Sequence, residues 1–308
     1  MNNGAQTNGT EVNGTERETA AQIFESYRPL LFSIAYRMVG RVMEAEDMVQ
    51  EAYLRYLAVD PETVQSHKAF LTTIVTRLCL DHLKSARVQR EEYVGPWLPE
   101  PLITEDSPAR RLDQKESITM AFLVLLEKLS PVERAVFLLR EVFDYDYAAI
   151  ASIVEKSEAN CRQLYSRAKR HLLAQRPRFA ASQDEQRALI DGFLRAISTG
   201  DEETLVTLLA DDVQLWSDGG GKVTAARRPL FGRDRVVRFL FGIYNKRPSD
   251  MHVALRETNG TQSLLIYVDG QVFGVMNFSV ADGKIQEIRT VLNPDKLRHL
   301  QSESGDRD

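Results

Sequence analysis

Apolar residues recur at helical spacing through the first ninety or so positions. Ile23, Phe24, Tyr27, Leu30, Leu31, Ile34, Ala35 and Met38 form one stripe, which Gly40 ends. Ala45, Met48, Val49, Ala52, Tyr53, Tyr56 and Leu57 form a second, and Phe70, Leu71, Ile74, Val75 and Leu78 a third. The pattern predicts a helical bundle over residues 18–92. Residues 93–111 break it, because Pro96, Pro99, Pro101 and Pro108 cannot continue a helix, and predict a linker. Helical spacing returns over 112–177. One helix there should begin at Ser130-Pro131-Val132-Glu133: Ser130 can cap, Pro131 suits the first helical position, and Glu133 completes a capping box.

Beyond Pro177 the period changes. Residues 184–199 and 201–210 read as helices. Strands are predicted at Val213–Ser217, Lys222–Arg227, His252–Glu257, Ser263–Val268, Gln271–Val280 and Ile285–Leu292, with a helix at Arg233–Tyr244. Ser217-Asp218-Gly219-Gly220 and Ala281-Asp282-Gly283 carry hairpin-turn chemistry. An α+β domain over 182–298 follows, with tails at 1–17 and 299–308. The first tail is rich in Asn, Gly and Thr and has no apolar core; it is expected to be disordered rather than a signal peptide.

Composition changes this picture little. No apolar stretch is long enough to span a membrane. Cys79 and Cys161 lie far apart in helical patterns and read as buried thiols of a cytoplasmic protein. The five histidines are scattered, and neither a metal site nor a cofactor is expected. The net charge of −5 does not exclude nucleic acid, because binding depends on local positive surface. Basic residues do cluster locally: Arg77, Lys84, Arg87 and Arg90 form one group, and Arg162 to Arg178 another.

The second cluster falls in a candidate helix-turn-helix from about Tyr147 to Ser166, continuing to Arg170. Ile150, Ala151 and Val154 should face inward on a short helix, and Ser157 should cap the next. That helix buries Cys161, Leu164, Tyr165, Ala168 and Leu172 and turns Arg162, Gln163, Ser166, Arg167, Lys169 and Arg170 outward. With Asn160, these residues suit a major groove: Arg and Lys neutralise phosphate, and Arg and Gln can read base edges. Glu155 stands where the turn often has glycine.

Two further helices differ in charge. Glu46, Asp47, Gln50 and Glu51 make a mostly acidic stripe, unsuited to DNA but suited to a basic protein partner. The helix over 69–87 carries Arg77, Lys84 and Arg87 beside the irregular stretch Val59–Ser66, an arrangement that can hold single-stranded DNA.

Residues 24–57, with AEDMVQE at Ala45–Glu51, resemble region 2 of extracytoplasmic-function sigma factors of the sigma-70 family, and residues 129–173 resemble their region 4. WLPEP at 97–101, DGGGK at 218–222 and NPDKL at 293–297 resemble the signatures of the group-41, or SigJ-type, class with a fused SnoaL-like domain. The resemblance implies two all-α sigma domains, a region 2 bundle and a region 4 helix-turn-helix, followed by an α+β SnoaL-like (NTF2-like) cone. It implies an alternative sigma factor that brings RNA polymerase core to promoter DNA, acts as a monomer and has no membrane contact. Glu46, Asp47, Val49, Gln50 and Glu51 would grip the core enzyme, whose largest-subunit clamp and flap are the implied partners. Arg77, Lys84 and Arg87 would meet the −10 element, and the helix at 158–173 the −35 element.

The class also implies regulation in cis. Trp97, Pro99 and Glu100 of the linker would meet the turn Asp218, Gly219, Gly220, Gly221 and Lys222, with Asn293, Pro294, Asp295, Lys296 and Leu297 nearby. The domain could hold a small molecule as a signal. Two other readings stand beside this one. A repressor or activator acting without polymerase needs the helix-turn-helix but not the acidic stripe. A cyclase- or isomerase-like enzyme needs a carboxylate base in an apolar cone; Asp211, Asp212, Asp218 and Tyr267 are its candidate parts, and no base with a partner assembles from sequence.

Overall fold

The computed structural model describes residues 11–60, 63–91, 93–105, 118–173 and 182–303, with side chains except at 11–18, 86–91 and 302–303. Its helices are α1 (Glu11–Val39), α2 (Val42–Leu57), α3 (His67–Glu91), α4 (Met120–Leu126), α5 (Pro131–Phe137), α6 (Tyr147–Val154) and α7 (Glu158–Leu173). Then come α8 (Gln183–Thr199), α9 (Glu202–Leu208), α10 (Arg233–Tyr244) and α11 (Arg298–Glu303). The strands are β1 (Leu209–Asp218), β2 (Leu230–Phe231), β3 (His252–Thr258), β4 (Thr261–Val268), β5 (Gln271–Ala281) and β6 (Lys284–Val291). These elements form two compact units, Met1–Lys84 with Ser130–Ala168, and Ser85–Leu129 with Lys169–Asp308.

The first unit is helical. Leu31, Ile34, Ala35 and Met38 of α1, Ala45, Val49, Ala52 and Tyr56 of α2, and Leu71, Val75 and Cys79 of α3 are all buried. Complete burial holds the Cys79 thiol well above its ordinary pKa, so it stays protonated and inert. Helix α1 begins at Glu11, so residues 11–17 extend it and are not the disordered tail expected. Ser130 forms the capping box of α5 with Glu133. Helix α5 runs on into one wide π-type turn, Leu138–Val142.

The second unit is α+β. Its mixed sheet has the order β2-β1-β6-β5-β4-β3, with β1 and β6 parallel and the other neighbours antiparallel. Asn259-Gly260, Asp269-Gly270 and Asp282-Gly283 all have positive φ and turn the three hairpins. One sheet face packs on α8, α9 and α10 through Phe193, Leu205, Val236, Met276, Phe278 and Ile288. The opposite face carries Leu265, Val275 and Val291 and is covered by Leu98, Met120, Leu297 and Leu300.

Four further features differ from expectation among the described residues. Residues 222–227 form no strand; the chain turns at the glycine run, Lys222 N–H bonding to Gly219 O at 3.0 Å, and the strand comes later, as β2. Residues 298–303 are a helix rather than tail, because Leu300 is fully buried against the sheet. Residues 112–177 are not one body: α4 joins the second unit, through Met120, and α5, α6 and most of α7 join the first. Finally, the linker over 93–105 is no free spacer. Ile103 bridges Thr258 at the edge strand β3, and Thr104 N–H bonds to Glu257 O at 3.1 Å. Such pairing shields an otherwise open sheet edge. Pro108 lies outside the described residues.

Candidate nucleic-acid and partner interfaces

Helix α2 places its acidic stripe outward. Asp47 and Gln50 are exposed, Glu46 pairs with Arg28 at 2.6 Å, and Glu51 pairs with Arg55 at 2.8 Å. Val49 does not belong with them. It is fully buried in the bundle, as its place on the apolar stripe requires, and no partner can reach it. Met43 and Leu54, outside the predicted apolar stripe, and Leu57, within it, are large, apolar and 53%, 62% and 40% exposed. With Asp47 and Gln50 they fall four and three apart along one line of α2. That spacing gives a seam able to lie along another helix, apolar at its ends and polar in the middle.

The helix-turn-helix is built as its residues require. Asp146 caps α6, Ala149 N–H reaching its carboxylate at 2.7 Å. Glu155 ends α6 in the left-handed conformation (φ 54°), filling the place where glycine is common. Ser157 caps α7, accepting from Asn160 N–H at 3.2 Å. Ile150, Ile153 and Val154 of α6 and Cys161, Ala168 and Leu172 of α7 are buried. Ser157, Asn160, Arg162, Gln163, Ser166, Arg167 and Arg170 are exposed, and Lys169 is half-buried. Arg162 pairs with Glu158 at 2.9 Å and lies 4.8 Å from the Tyr147 ring centre; Arg167 lies 3.4 Å from Glu133. Arg176 and Arg178 lie outside the described residues.

Of the basic residues proposed on α3, Arg77 and Lys84 have described side chains, and the two differ in their surroundings. Lys84 is exposed and pairs with Asp81. Arg77 turns to α6: its guanidinium donates to Ile153 O at 3.1 Å and Ser152 O at 2.9 Å, and pairs with Glu155 at 3.2 Å. A cation there satisfies the open carbonyls at the helix C-terminus. Beside it, the Thr72 and Tyr145 hydroxyls bond at 2.8 Å. Burial pushes the Tyr145 hydroxyl pKa up, against the lowering effect of that bond. Buried Arg134 of α5 donates to Met38 O at the end of α1. The side chain of Arg87 lies outside the described residues.

In the second unit the three short motifs converge. Asp218 is fully buried and accepts from Leu98 N–H at 2.8 Å, Lys296 Nζ at 2.7 Å, Gly220 N–H at 3.2 Å and the Tyr93 hydroxyl. Lys296, itself buried, also donates to Leu98 O and sits 4.1 Å from the Trp97 ring centre. Asn293 Nδ2 donates to the Tyr93 hydroxyl at 2.8 Å, and its side chain caps the turn Pro294–Lys296. Lys222 pairs with Asp295. Pro99, Glu100 and Leu297 are buried, and His299 bonds to Pro101 O at 2.7 Å. The glycines permit this closeness. At Gly220 (φ +57°) a Cβ would lie 2.2 Å from Asn293 Nδ2, and at Gly219 one would lie 2.8 Å from Val223 O. Tyr93 was not singled out from sequence; a lone aromatic beside a proline-rich stretch gives no sign of a partner 125 residues away.

The carboxylates weighed for catalysis are not brought together. Asp211 and Asp212 lie exposed within β1, and Asp211 pairs with Arg233. Asp218 is consumed by the linker contacts, and Tyr267 stacks on His252, their ring centres 4.9 Å apart.

Comparison with known proteins now adds to this geometry. The model for Sigma-70 region 2 matches residues 23–88, and that for Sigma-70 region 4 matches residues 119–172. The ECF RNA polymerase sigma factor SigJ of Mycobacterium tuberculosis (strain ATCC 25618 / H37Rv) is 37% identical over 287 residues, covering 89% of this chain and 92% of its own. The chain belongs to the ECF RNA polymerase sigma factors. The match to these sigma factors extends through the C-terminal domain. The probable ECF RNA polymerase sigma factor SigI of M. tuberculosis (strain CDC 1551 / Oshkosh) is 31% identical over 94% of this chain and 99% of its own. The crystal structure of M. tuberculosis SigJ aligns with a TM-score of 0.72 at 33% identity, covering 90% of this chain and 98% of that one. The architecture is therefore two helical sigma regions followed by an α+β domain, in the order of the SigJ structure. Among the described residues, no helix is long and apolar enough to cross a membrane.

Proposed function

We propose that this chain is an alternative sigma factor that joins RNA polymerase core, recognises promoter DNA through regions 2 and 4, and is regulated in cis through its linker. Family membership supports the first part. The α2 seam carries the reading against a polymerase-independent repressor, which would have no use for an outward line of Met43, Asp47, Gln50, Leu54 and Leu57. Asp47 and Gln50 are the polar contacts of that seam, and α7 is the −35 reader. In binding experiments with purified core polymerase, Asp47→Ala/Gln50→Ala should weaken association at least tenfold. Unchanged affinity, with polymerase-independent promoter binding, would favour the repressor.

Region 2 and most of region 4 share one unit of roughly 120 residues, whose expected radius of gyration is only about 14 Å. The −10 and −35 elements are named for positions that lie on the order of 85 Å apart along a duplex at 3.4 Å per base pair. The packed unit therefore has to open, releasing Arg77 and Tyr145, before both elements are engaged. The linker joins regions 2 and 4, and Asp218 and Lys296 hold it on the C-terminal domain. That domain thus limits how far and in what direction the two regions separate. Regulation through Trp97, Asp218–Lys222 and Asn293–Leu297 follows from this tether.

A further inference from the structure

Residues 222–247 carry eight basic side chains and one acidic one, in a chain whose net charge is −5. Six of the eight are arginines. Four of the basic groups are committed locally: Lys222 pairs with Asp295, Arg233 with Asp211 and Val206 O, Arg238 Nε donates to Asp234 O at 3.1 Å, and Arg247 donates to Tyr244 O at 2.9 Å. Arg227, Arg228, Arg235 and Arg238 are exposed and have no carboxylate partner among the described residues. The first two lie in the loop before β2. The others project from α10, which is anchored by buried Val236, Val237 and Leu240. Exposed Phe231 lies between loop and helix in the chain, edge-on to Trp216, and lines a cavity of about 390 Å³ with Arg233, Arg235 and Arg238 and with the carboxylates Asp211 and Asp234.

The chemistry selects the partner. Guanidinium forks match phosphate oxygens in pairs, and the start of α10 adds the positive end of a helix dipole. Protein–protein interfaces use arginine beside aromatic and other apolar anchors, whereas DNA-binding surfaces are more polar and strongly positive. Apart from Phe231, no large apolar side chain between residues 222 and 240 is more than half exposed. We infer that Arg227, Arg228, Arg235 and Arg238 form a phosphate-binding face by which the C-terminal domain holds duplex DNA without regard to sequence. This rests on the sigma-factor reading only for where the DNA comes from; the surface itself can be tested without polymerase.

The test is the salt dependence of DNA binding. The full-length protein would be titrated with a random-sequence duplex, and its polymerase complex with promoter DNA, between 50 and 200 mM salt. Each phosphate contact contributes about 0.9 to the slope of log K against log salt. Replacing all four arginines by Ala should lower that slope by about 3.6 and weaken binding at low salt at least tenfold. The fourfold Arg→Lys variant should keep most of the slope, whereas Arg187→Ala/Arg195→Ala, exposed arginines on α8, should leave it unchanged. A fourfold Ala variant that is folded and keeps the wild-type slope and affinity would overturn the inference. So would intact duplex binding with weakened polymerase binding, which would mark the face as a protein contact. If the wild type binds duplex through this face yet never supports transcription, the inference stands and the sigma reading fails.

Discussion

Lys296 Nζ lies 2.7 Å from the Asp218 carboxylate, with the two side chains 2% and 0% exposed. A buried pair of this kind is tolerated because its remaining hydrogen-bonding positions are filled. Here the linker fills them, through Leu98 N–H, Leu98 O and the Tyr93 hydroxyl. The charges that close the C-terminal domain are the same charges that seat the chain between regions 2 and 4.

Removing one member leaves the other buried and unpaired, at a cost of about 3–5 kcal/mol. Asp218→Ala should therefore release the linker. Hydrogen exchange at the Leu98 amide should quicken at least about a hundredfold, since 1.4 kcal/mol is a factor of ten. Unchanged protection of Leu98 would show that the pair does not hold it.

The glycine run makes a sharper comparison. Gly220→Ala places a methyl against Asn293, whereas Gly283→Ala, at a similar φ, meets nothing within 4 Å. Both lose the ease with which glycine adopts positive φ, roughly 1–2 kcal/mol. Gly220→Ala should cost clearly more, read as a lower unfolding midpoint of the C-terminal domain. Equal costs would mean that Asn293 yields freely.

Opening of the helical unit should respond to Tyr145→Phe. The change removes the 2.8 Å bond to buried Thr72, worth about 1 kcal/mol, and touches no surface assigned to DNA. If opening precedes promoter binding, the polymerase complex of this variant should bind promoter DNA up to about fivefold more tightly. Weaker or equal binding would show that this contact does not oppose opening.

Much of this was legible in the sequence because it is local. The Ser130 capping box, the Ser157 cap and the Asp282-Gly283 turn are set within a few residues. So is the split of α7 into apolar and basic faces. What escaped depends on distant partners. The linker reads as a spacer because its prolines forbid a helix, yet Ile103 and Thr104 find the edge of β3 more than 150 residues away. Arg77 reads as a DNA contact on charge alone; only the fold brings the end of α6 to it. On α2 charge marks the seam but not its apolar members: Val49, beside the acidic residues in sequence, is buried, whereas Met43 is exposed.

Run-off transcription with purified core polymerase, with and without this protein, tests the central claim most directly. The natural template is the DNA upstream of its own gene, together with a library of promoter fragments. A specific transcript that requires the wild-type protein and disappears with Asp47→Ala/Gln50→Ala is the predicted result. No transcript from any template with the wild type or with Asp218→Ala, in which the linker is free, would contradict it.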